Sequence, residues 1–275
     1  MQEARWGNTK TCPKCGVVDG KIYKLKDSRL LKCASCRQPF SVRVGSVFED
    51  SAIPLQSWFL AIYLSTSLKK GISSVQLAKY LGITQKSAWH MLHRIRHNET
   101  GAVGDPLSGI VEVDETYVGG KVKETHGRFS NKVAVIGAVE KKKDGRIKTT
   151  VTKTADATIA LPFIKASVKN KASIQTDESK IYHRVKWDYT HEFVTHKAEE
   201  YVRDGVSTNT IDGAWDHLKL GLKAIYMGVS PKHLGKYCDE FAYRYNTRGL
   251  TDGERFEEWF KSINGKKLTY KKLVG

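Results

Sequence analysis

Residues 110–118 read Ile-Val-Glu-Val-Asp-Glu-Thr-Tyr-Val, alternating apolar and polar side chains with the two-residue period of a β-strand, and Asp114 falls toward its end. Outward from this stretch the pattern continues. Residues 133–140, Val-Ala-Val-Ile-Gly-Ala-Val-Glu, read as a second strand, Lys143-Asp144-Gly145 as a hairpin turn, and residues 147–151 as a third strand. Residues 156–168 have a helical pattern, and Ala172-Ser-Ile-Gln-Thr-Asp177 reads as a fourth strand that also ends on an aspartate. Residues 208–226 and 231–247 read as helices. The predicted order is three strands, a helix, a strand and two helices, an α/β (α+β) arrangement.

In such an order the first and fourth strands can lie side by side, which brings Asp114 and Asp177 to one end of the sheet. Two carboxylates that close repel unless a cation lies between them. Mg²⁺ or Mn²⁺ takes oxygen ligands and keeps positions open for a phosphate. Two such ions, roughly 3.5–4 Å apart, can activate an attacking oxygen and stabilise a leaving one. A third acidic ligand is expected from a helix, and Asp212 is the candidate, with 34 residues between it and Asp177. Lys219 follows two helical turns later on the same face, placed to touch a substrate phosphate or base.

The charge balance fits a polyanionic substrate. The 275 residues hold 46 Lys and Arg against 29 Asp and Glu, a net charge of +17, with 40% hydrophobic and 27% charged residues. That is a soluble globular composition with a strong excess of positive charge, and nucleic acid is the expected partner. Residues 1–106 carry 16 Lys and Arg against 7 Asp and Glu, so the N-terminal part is the denser in positive charge. No run approaches the roughly 18 apolar residues that cross a bilayer, and Met1-Gln2-Glu3-Ala4-Arg5 opens no signal peptide. The expected location is the cytoplasm, beside the nucleoid of a bacterium, where thiols stay reduced.

Four of the five cysteines form two pairs, Cys12-Pro-Lys-Cys15 and Cys33-Ala-Ser-Cys36, with 17 residues between them. Each pair can occupy a tight turn with both sulfurs facing one point, and two such turns place four thiolates around structural Zn²⁺. Strand-like stretches at 21–25, 30–32 and 39–44 complete a zinc ribbon over residues 1–46. Cys238 lies in a helical pattern and reads as a small core residue.

Residues 54–68 suit a helix with Pro54 in its first turn. In residues 72–96, Val75, Leu77, Ala78 and Leu81 can form one apolar face, Gly82 a turn, and Thr84 a cap. Ala88, Met91, Leu92 and Ile95 then form a second face. This is a helix-turn-helix pattern, and Gln85, Lys86, His90 and Arg94 are expected to point outward toward a DNA groove. Gly104-Asp105-Pro106 breaks the pattern, giving predicted domains of 1–46, 47–105 and 106–250, with residues 251–275 as a C-terminal tail.

The element order beyond residue 106 is that of a ribonuclease H-like domain, and the motifs resemble a known group. Val113-Asp114-Glu115-Thr116-Tyr117-Val118-Gly119-Gly120-Lys121, Asn131-Lys132-Val133, Thr176-Asp177, Asn209-Thr210-Ile211-Asp212 with Trp215 and Lys219, and Glu240-Phe241-Ala242-Tyr243-Arg244-Tyr245-Asn246 carry the resemblance. They are similar to bacterial insertion-sequence transposases of the zinc-ribbon group related to eukaryotic Merlin elements. That group joins a Cys-x-x-Cys ribbon and a helix-turn-helix to a catalytic core of ribonuclease H/retroviral integrase type.

The resemblance implies that Asp114 and Asp177 are the first two metal ligands and that Lys219 is the lysine following the third. It implies binding and metal-dependent cutting and joining of double-stranded DNA by a homodimer or higher oligomer on that DNA. One position departs: Asp212 stands where the group usually has Glu, shorter by roughly 1.5 Å, one carbon–carbon bond. Asn209, one helical turn earlier, could supply an amide oxygen instead. The departure leaves two alternatives open, an inactive transposase that still binds DNA and a DNA-binding regulator without cleavage activity. A plain nuclease is a third, distinguished only by joining of a 3′-OH to new DNA. Residues 117–128, with Lys121, Lys123, His126 and Arg128, read as a basic loop that either contacts DNA or only connects two strands. Arg244, Asn246 and Arg248 read as solvated or structural, and His183, His191 and His196 lack metal-site spacing.

Overall fold

The structure is a computed structural model, and it describes residues 1–26, 28–101, 104–119, 132–194 and 205–275. The basic stretch Lys121–Arg128 and His196 lie outside the described residues. The chain divides into two compact units, one of Met1–Leu68, Ile72–Glu99 and Leu250–Gly275, the other of Lys69–Gly71 and Thr100–Gly249.

The first unit begins with α1 (Gln2–Trp6) and three short strands, β1 (Ile22–Lys24), β2 (Leu31–Cys33) and β3 (Pro39–Phe40). They pair antiparallel in the order β1-β2-β3. The buried cluster of this three-stranded segment holds Trp6, Leu31 and Phe40 beside Cys12 and Cys33. A core that small needs a further tie, which four converging thiols can supply.

Helix α2 (Leu55–Ser67) follows Pro54. Ser73 caps α3 (Ser74–Leu81) by accepting from the Gln76 amide, and Gly82 ends it in the left-handed region at φ 62°. Thr84 Oγ1 accepts the Ser87 amide at 3.2 Å and opens α4 (Gln85–Glu99). The glycine supplies a backbone angle that costs other residues about 1 kcal/mol or more, so it fixes the turn. Leu77, Ala78, Ala88, Met91, Leu92 and Ile95 are buried as their spacing predicts, whereas Val75 is exposed.

The second unit is built on β4 (Ile110–Val118), β5 (Val133–Glu140), β6 (Ile147–Thr152), α5 (Ala157–Ser167), β7 (Ser173–Thr176), β8 (Thr190–Phe193), α6 (Asn209–Ala224) and α7 (Pro231–Asn246). The five strands are ordered β6-β5-β4-β7-β8. The first three pair antiparallel, β7 joins β4 in parallel and β8 joins β7 in parallel. Alternation along β4 decides the layers. Val111 and Val113 face one way, against Ala160 and Ile164 of α5. The opposite face of the sheet, through Val135 and Val139, packs on Ile211, Trp215 and Leu218 of α6 and on Leu234 and Phe241 of α7. Cys238 lies in this second layer, as its helical position predicts, and burial pushes its thiol far above the ordinary range. An antiparallel meander, a helical crossover and two parallel strands, with the first strand central, make a ribonuclease H-like core.

Residues 251–275 are not a loose tail. They form α8 (Asp252–Phe260) and α9 (Tyr270–Val274) within the first unit. Thr251 and Glu254 close a capping box at the start of α8. Trp259 stands 6.3 Å from the Phe48 ring, and Phe260 stands 5.7 Å from that of Phe59. Aromatic burial of this kind outweighs the charges interspersed in the segment.

Candidate active site

Strand pairing places the first two aspartates together. Glu112 of β4 is the register partner of Gln175 of β7, and Asp114 and Asp177 lie two residues further along their respective chains. Asp212 occupies the first turn of α6. Trp215, one turn on, donates its indole N–H to Asp114 Oδ2 at 2.9 Å. Gly137 is the antiparallel partner of Asp114, and a Cβ there would stand 2.4 Å from Trp215 Cη2. A glycine at that position leaves the room the indole needs to reach the carboxylate.

The Asp114 carboxyl is pushed up to about 8, first by burial and then by the charges of Glu115, Asp177 and Asp212. The three candidate aspartates therefore share one electrostatic site. Ser179 donates its amide to Asp177 Oδ1 at 3.0 Å, and Thr208 Oγ1 donates to Asp212 Oδ2 at 3.1 Å. Asp212, Asn209 and Lys219 are exposed on α6. Among the described residues, only the cysteine quartet brings three or more His, Cys, Asp or Glu ligand atoms within 4.8 Å of one another, so the aspartates converge more loosely than that.

Two members of the site were not read from the sequence. Glu115 follows Asp114 and so points to the other sheet face, where Tyr182 donates its hydroxyl to Glu115 Oε2 at 2.7 Å. Burial pushes Glu115 up, the Tyr182 bond pulls it back, and Asp177 pushes it up again. The adjacent acidic pair Asp114-Glu115 was a usable signal. Trp215 belonged to a quoted motif, but its indole contact depends on a fold that brings residues 101 apart together.

The four thiols meet as expected. Cys12 Sγ lies 3.8 Å from Cys36 Sγ, and Cys15 Sγ 3.8 Å from Cys33 Sγ. A tetrahedron with metal–sulfur bonds near 2.3 Å has edges of roughly 3.8 Å, so the spacing and the all-sulfur donor set fit zinc. The Cys36 and Ser35 amides pull the Cys33 thiol down to about 6. The Val17 amide pulls Cys15 down too, but desolvation and the neighbouring sulfurs push it up to about 11.

The groove-facing set needs correction. Gln85 and Lys86 are exposed, with Gln85 Nε2 donating to Ser74 Oγ at 2.8 Å. Arg94 is 5% exposed, donates to the Glu49 carbonyl and lies 5.3 Å from the Trp58 ring centroid. Its guanidinium is held inside the unit and does not point outward. His90 is half-buried against Tyr270 of α9, and Lys86 Nζ sits over the same ring at 5.0 Å. The segment expected to be a tail thus covers part of the expected reading face. Asn246 is structural, exchanging bonds of 2.7 and 3.0 Å with the Ile147 backbone. Arg244 pairs with Glu240, and Arg248 donates to the Gly145 carbonyl at 2.7 Å.

A ribonuclease H-like core carrying Asp114 in the middle of β4, rather than at its end as expected, and Asp177 just past β7, on a chain with a zinc ribbon, defines the class. Family models sharpen it: an ISXO2-like transposase domain matches residues 106–246, and a transposase zinc-ribbon domain matches residues 1–39. The chain belongs to the ISXO2-like transposase family. An uncharacterized protein in transposable element ISH50 of Halobacterium salinarum is 27% identical over 267 residues, covering 89% of this chain and 88% of its own. Among solved structures, a Mos1 transposase paired-end complex with left transposon end aligns at TM-score 0.34 and 14% identity, over 69% of this chain and 74% of that one. A pre-cleavage Mos1 transpososome aligns at TM-score 0.34 and 12% identity, over 72% and 75%.

Proposed function

We propose that the chain is a transposase that binds the ends of its mobile element and performs metal-dependent strand cleavage and strand transfer. The observation carrying this reading is the electrostatic convergence of Asp114, Asp177 and Asp212, from β4, the end of β7 and the start of α6, in a chain of transposase family. A buried carboxyl raised by three other carboxylates is the surplus of negative charge that a dication neutralises, and every donor is an oxygen, which suits Mg²⁺ or Mn²⁺. Those three side chains would hold the ions, with Asn209 the alternative to Asp212. When bound, the ions supply activation of the attacking oxygen and stabilisation of the leaving one. The protein's own part is to aim the carboxylates. Trp215 holds Asp114 in one rotamer, Thr208 steadies Asp212, and Lys219 stands on the exposed face of α6 to take a DNA phosphate.

Residues 1–46, as a zinc ribbon on Cys12, Cys15, Cys33 and Cys36, and residues 47–105, as a helix-turn-helix, would dock the element ends, with Gln85 and Lys86 the outward side chains. Residues 106–250 are the catalytic core, and a homodimer or larger assembly would pair two double-stranded ends. Among the described residues no helix is long and apolar enough to cross a membrane, in keeping with work on cytoplasmic DNA. Incubating the protein with duplexes of its own element ends and Mg²⁺ or Mn²⁺ tests the reading. Nicking at the element boundary followed by joining of the 3′-OH to new DNA supports it, whereas nicking without joining leaves a nuclease. The exposed Asp212, one bond shorter than the usual Glu, favours a second reading, a chain that binds these ends without cutting them.

A further inference from the structure

Directly beneath the three aspartates lies a second polar layer that no part of the reading above uses. Glu112 is fully buried on β4, on the same strand face as Asp114. Its Oε2 accepts the amides of Thr210 at 2.8 Å and Ile211 at 3.0 Å, the donors that the first turn of α6 leaves without helical partners. Its Oε1 accepts the Thr210 hydroxyl at 3.1 Å and the Ser207 hydroxyl at 3.3 Å. Lys141 Nζ lies 3.6 Å from Glu112 and donates to Gln175 Oε1 at 3.0 Å, Gly205 O at 2.7 Å and Ser207 Oγ at 2.8 Å. Gln175 Oε1 also accepts the Ser207 amide at 3.3 Å.

Glu112, Gln175 and Thr210 each stand two residues before an aspartate of the site. The network ties together the three backbones that carry those aspartates. We infer that Glu112, with Lys141 and Gln175, is the positioning clamp of the catalytic carboxylates: it caps α6 from β4 and so sets where Asp212 stands relative to Asp114 and Asp177. This inference rests on the proposed catalytic reading. A buried carboxylate accepting two backbone amides fixes a helix end in distance and direction, as an ordinary N-cap residue does from within its own chain turn. Groups that orient metal ligands commonly change metal affinity or activity by about 10–100-fold when altered.

The test compares the zinc-loaded full chain with Glu112→Gln, in which an amide NH₂ replaces one acceptor and opposes the donors facing it. Thr210→Val, which deletes only the hydroxyl, is the milder companion should Glu112→Gln fail to fold. Three quantities are read: hydrogen exchange of the Thr210 and Ile211 amides without added dication, Mn²⁺ affinity by calorimetry, and kcat and KM for cleavage. The clamp predicts faster exchange confined to those amides, Mn²⁺ affinity and kcat each down about 10–100-fold, and KM for DNA unchanged within about twofold. Thr210→Val should move the same quantities in the same direction by less. Unchanged Mn²⁺ affinity in a folded variant, with only a lower melting temperature, overturns the inference and leaves Glu112 as a stabilising cap. A parent chain that binds Mn²⁺ and never cleaves overturns the catalytic reading instead, while the exchange and affinity measurements still decide the clamp.

Discussion

Replacing Asp114 with Asn should make the divalent-free protein more stable at pH 8, although it destroys a proposed metal ligand. The Asp114 carboxyl lies at about 8 in the folded chain against an ordinary 3.8, because burial and three neighbouring carboxylates oppose its ionisation. The sign follows from the direction. Well below the ordinary value of 3.8 the group is protonated in both states and contributes nothing. Between pH 4 and 8 the unfolded chain ionises while the folded one does not, so stability drains away as pH rises, and above pH 8 the loss is complete. At about 1.36 kcal/mol per unit, roughly four units set an upper bound near 5–6 kcal/mol. Asn keeps an oxygen for the Trp215 indole and removes the penalty. Scanning calorimetry of zinc-loaded protein stripped of other divalent ions reads the effect, at about 2–4 °C per kcal/mol for a unit of this size. The variant should melt above the parent at pH 8, and the gap should shrink to about 1 kcal/mol by pH 4.5. Adding Mg²⁺ at pH 8 should raise the parent and leave the variant nearly unmoved. A gap independent of pH, or a parent that is the more stable at pH 8, would refute the charge-convergence account of this site.

Two further outcomes follow from the other sites. Cys33→Ser should drop zinc below half an equivalent by elemental analysis and weaken DNA binding, while the calorimetric transition of the catalytic core persists; full zinc retention would contradict the four-thiolate site. Asp212→Ala should abolish cleavage as completely as Asp177→Ala while Asn209→Ala keeps part of it, and Asp212→Glu should retain or raise activity. Activity surviving in Asp212→Ala and lost in Asn209→Ala moves the third ligand to Asn209.

Strand β4 and helix α6 were legible because each is long and periodic, and the four-residue β7 was read from its β-branched Ile174 and Thr176. The alternation of residues 110–118 marked a strand, and residues 133–140, an apolar run buried on both faces, marked its neighbour. Strand β8 was not legible: Thr190-His-Glu-Phe193 is a short edge strand with mostly exposed side chains, so no apolar alternation marks it. Helix α8 hid behind its charges, although Phe256, Trp259 and Phe260 recur at helical spacing. Arg94 was placed outward because a charged side chain on a helix ordinarily is; its partners, a carbonyl at residue 49 and a ring at residue 58, are set by packing. The clamp on Glu112 was equally hidden. On an alternating strand a buried glutamate looks like any other polar position, and its helix partners come nearly a hundred residues later.

Cleavage and joining of the element's own ends test the central claim most directly. With Mg²⁺ or Mn²⁺, the parent protein should nick an end duplex at the element boundary and join the freed 3′-OH to a target duplex, and Asp114→Ala and Asp177→Ala should bind that duplex with unchanged affinity and do neither. A parent that binds the ends tightly yet yields no nicked or joined product with either ion would contradict the account and leave a DNA-binding protein that no longer cuts.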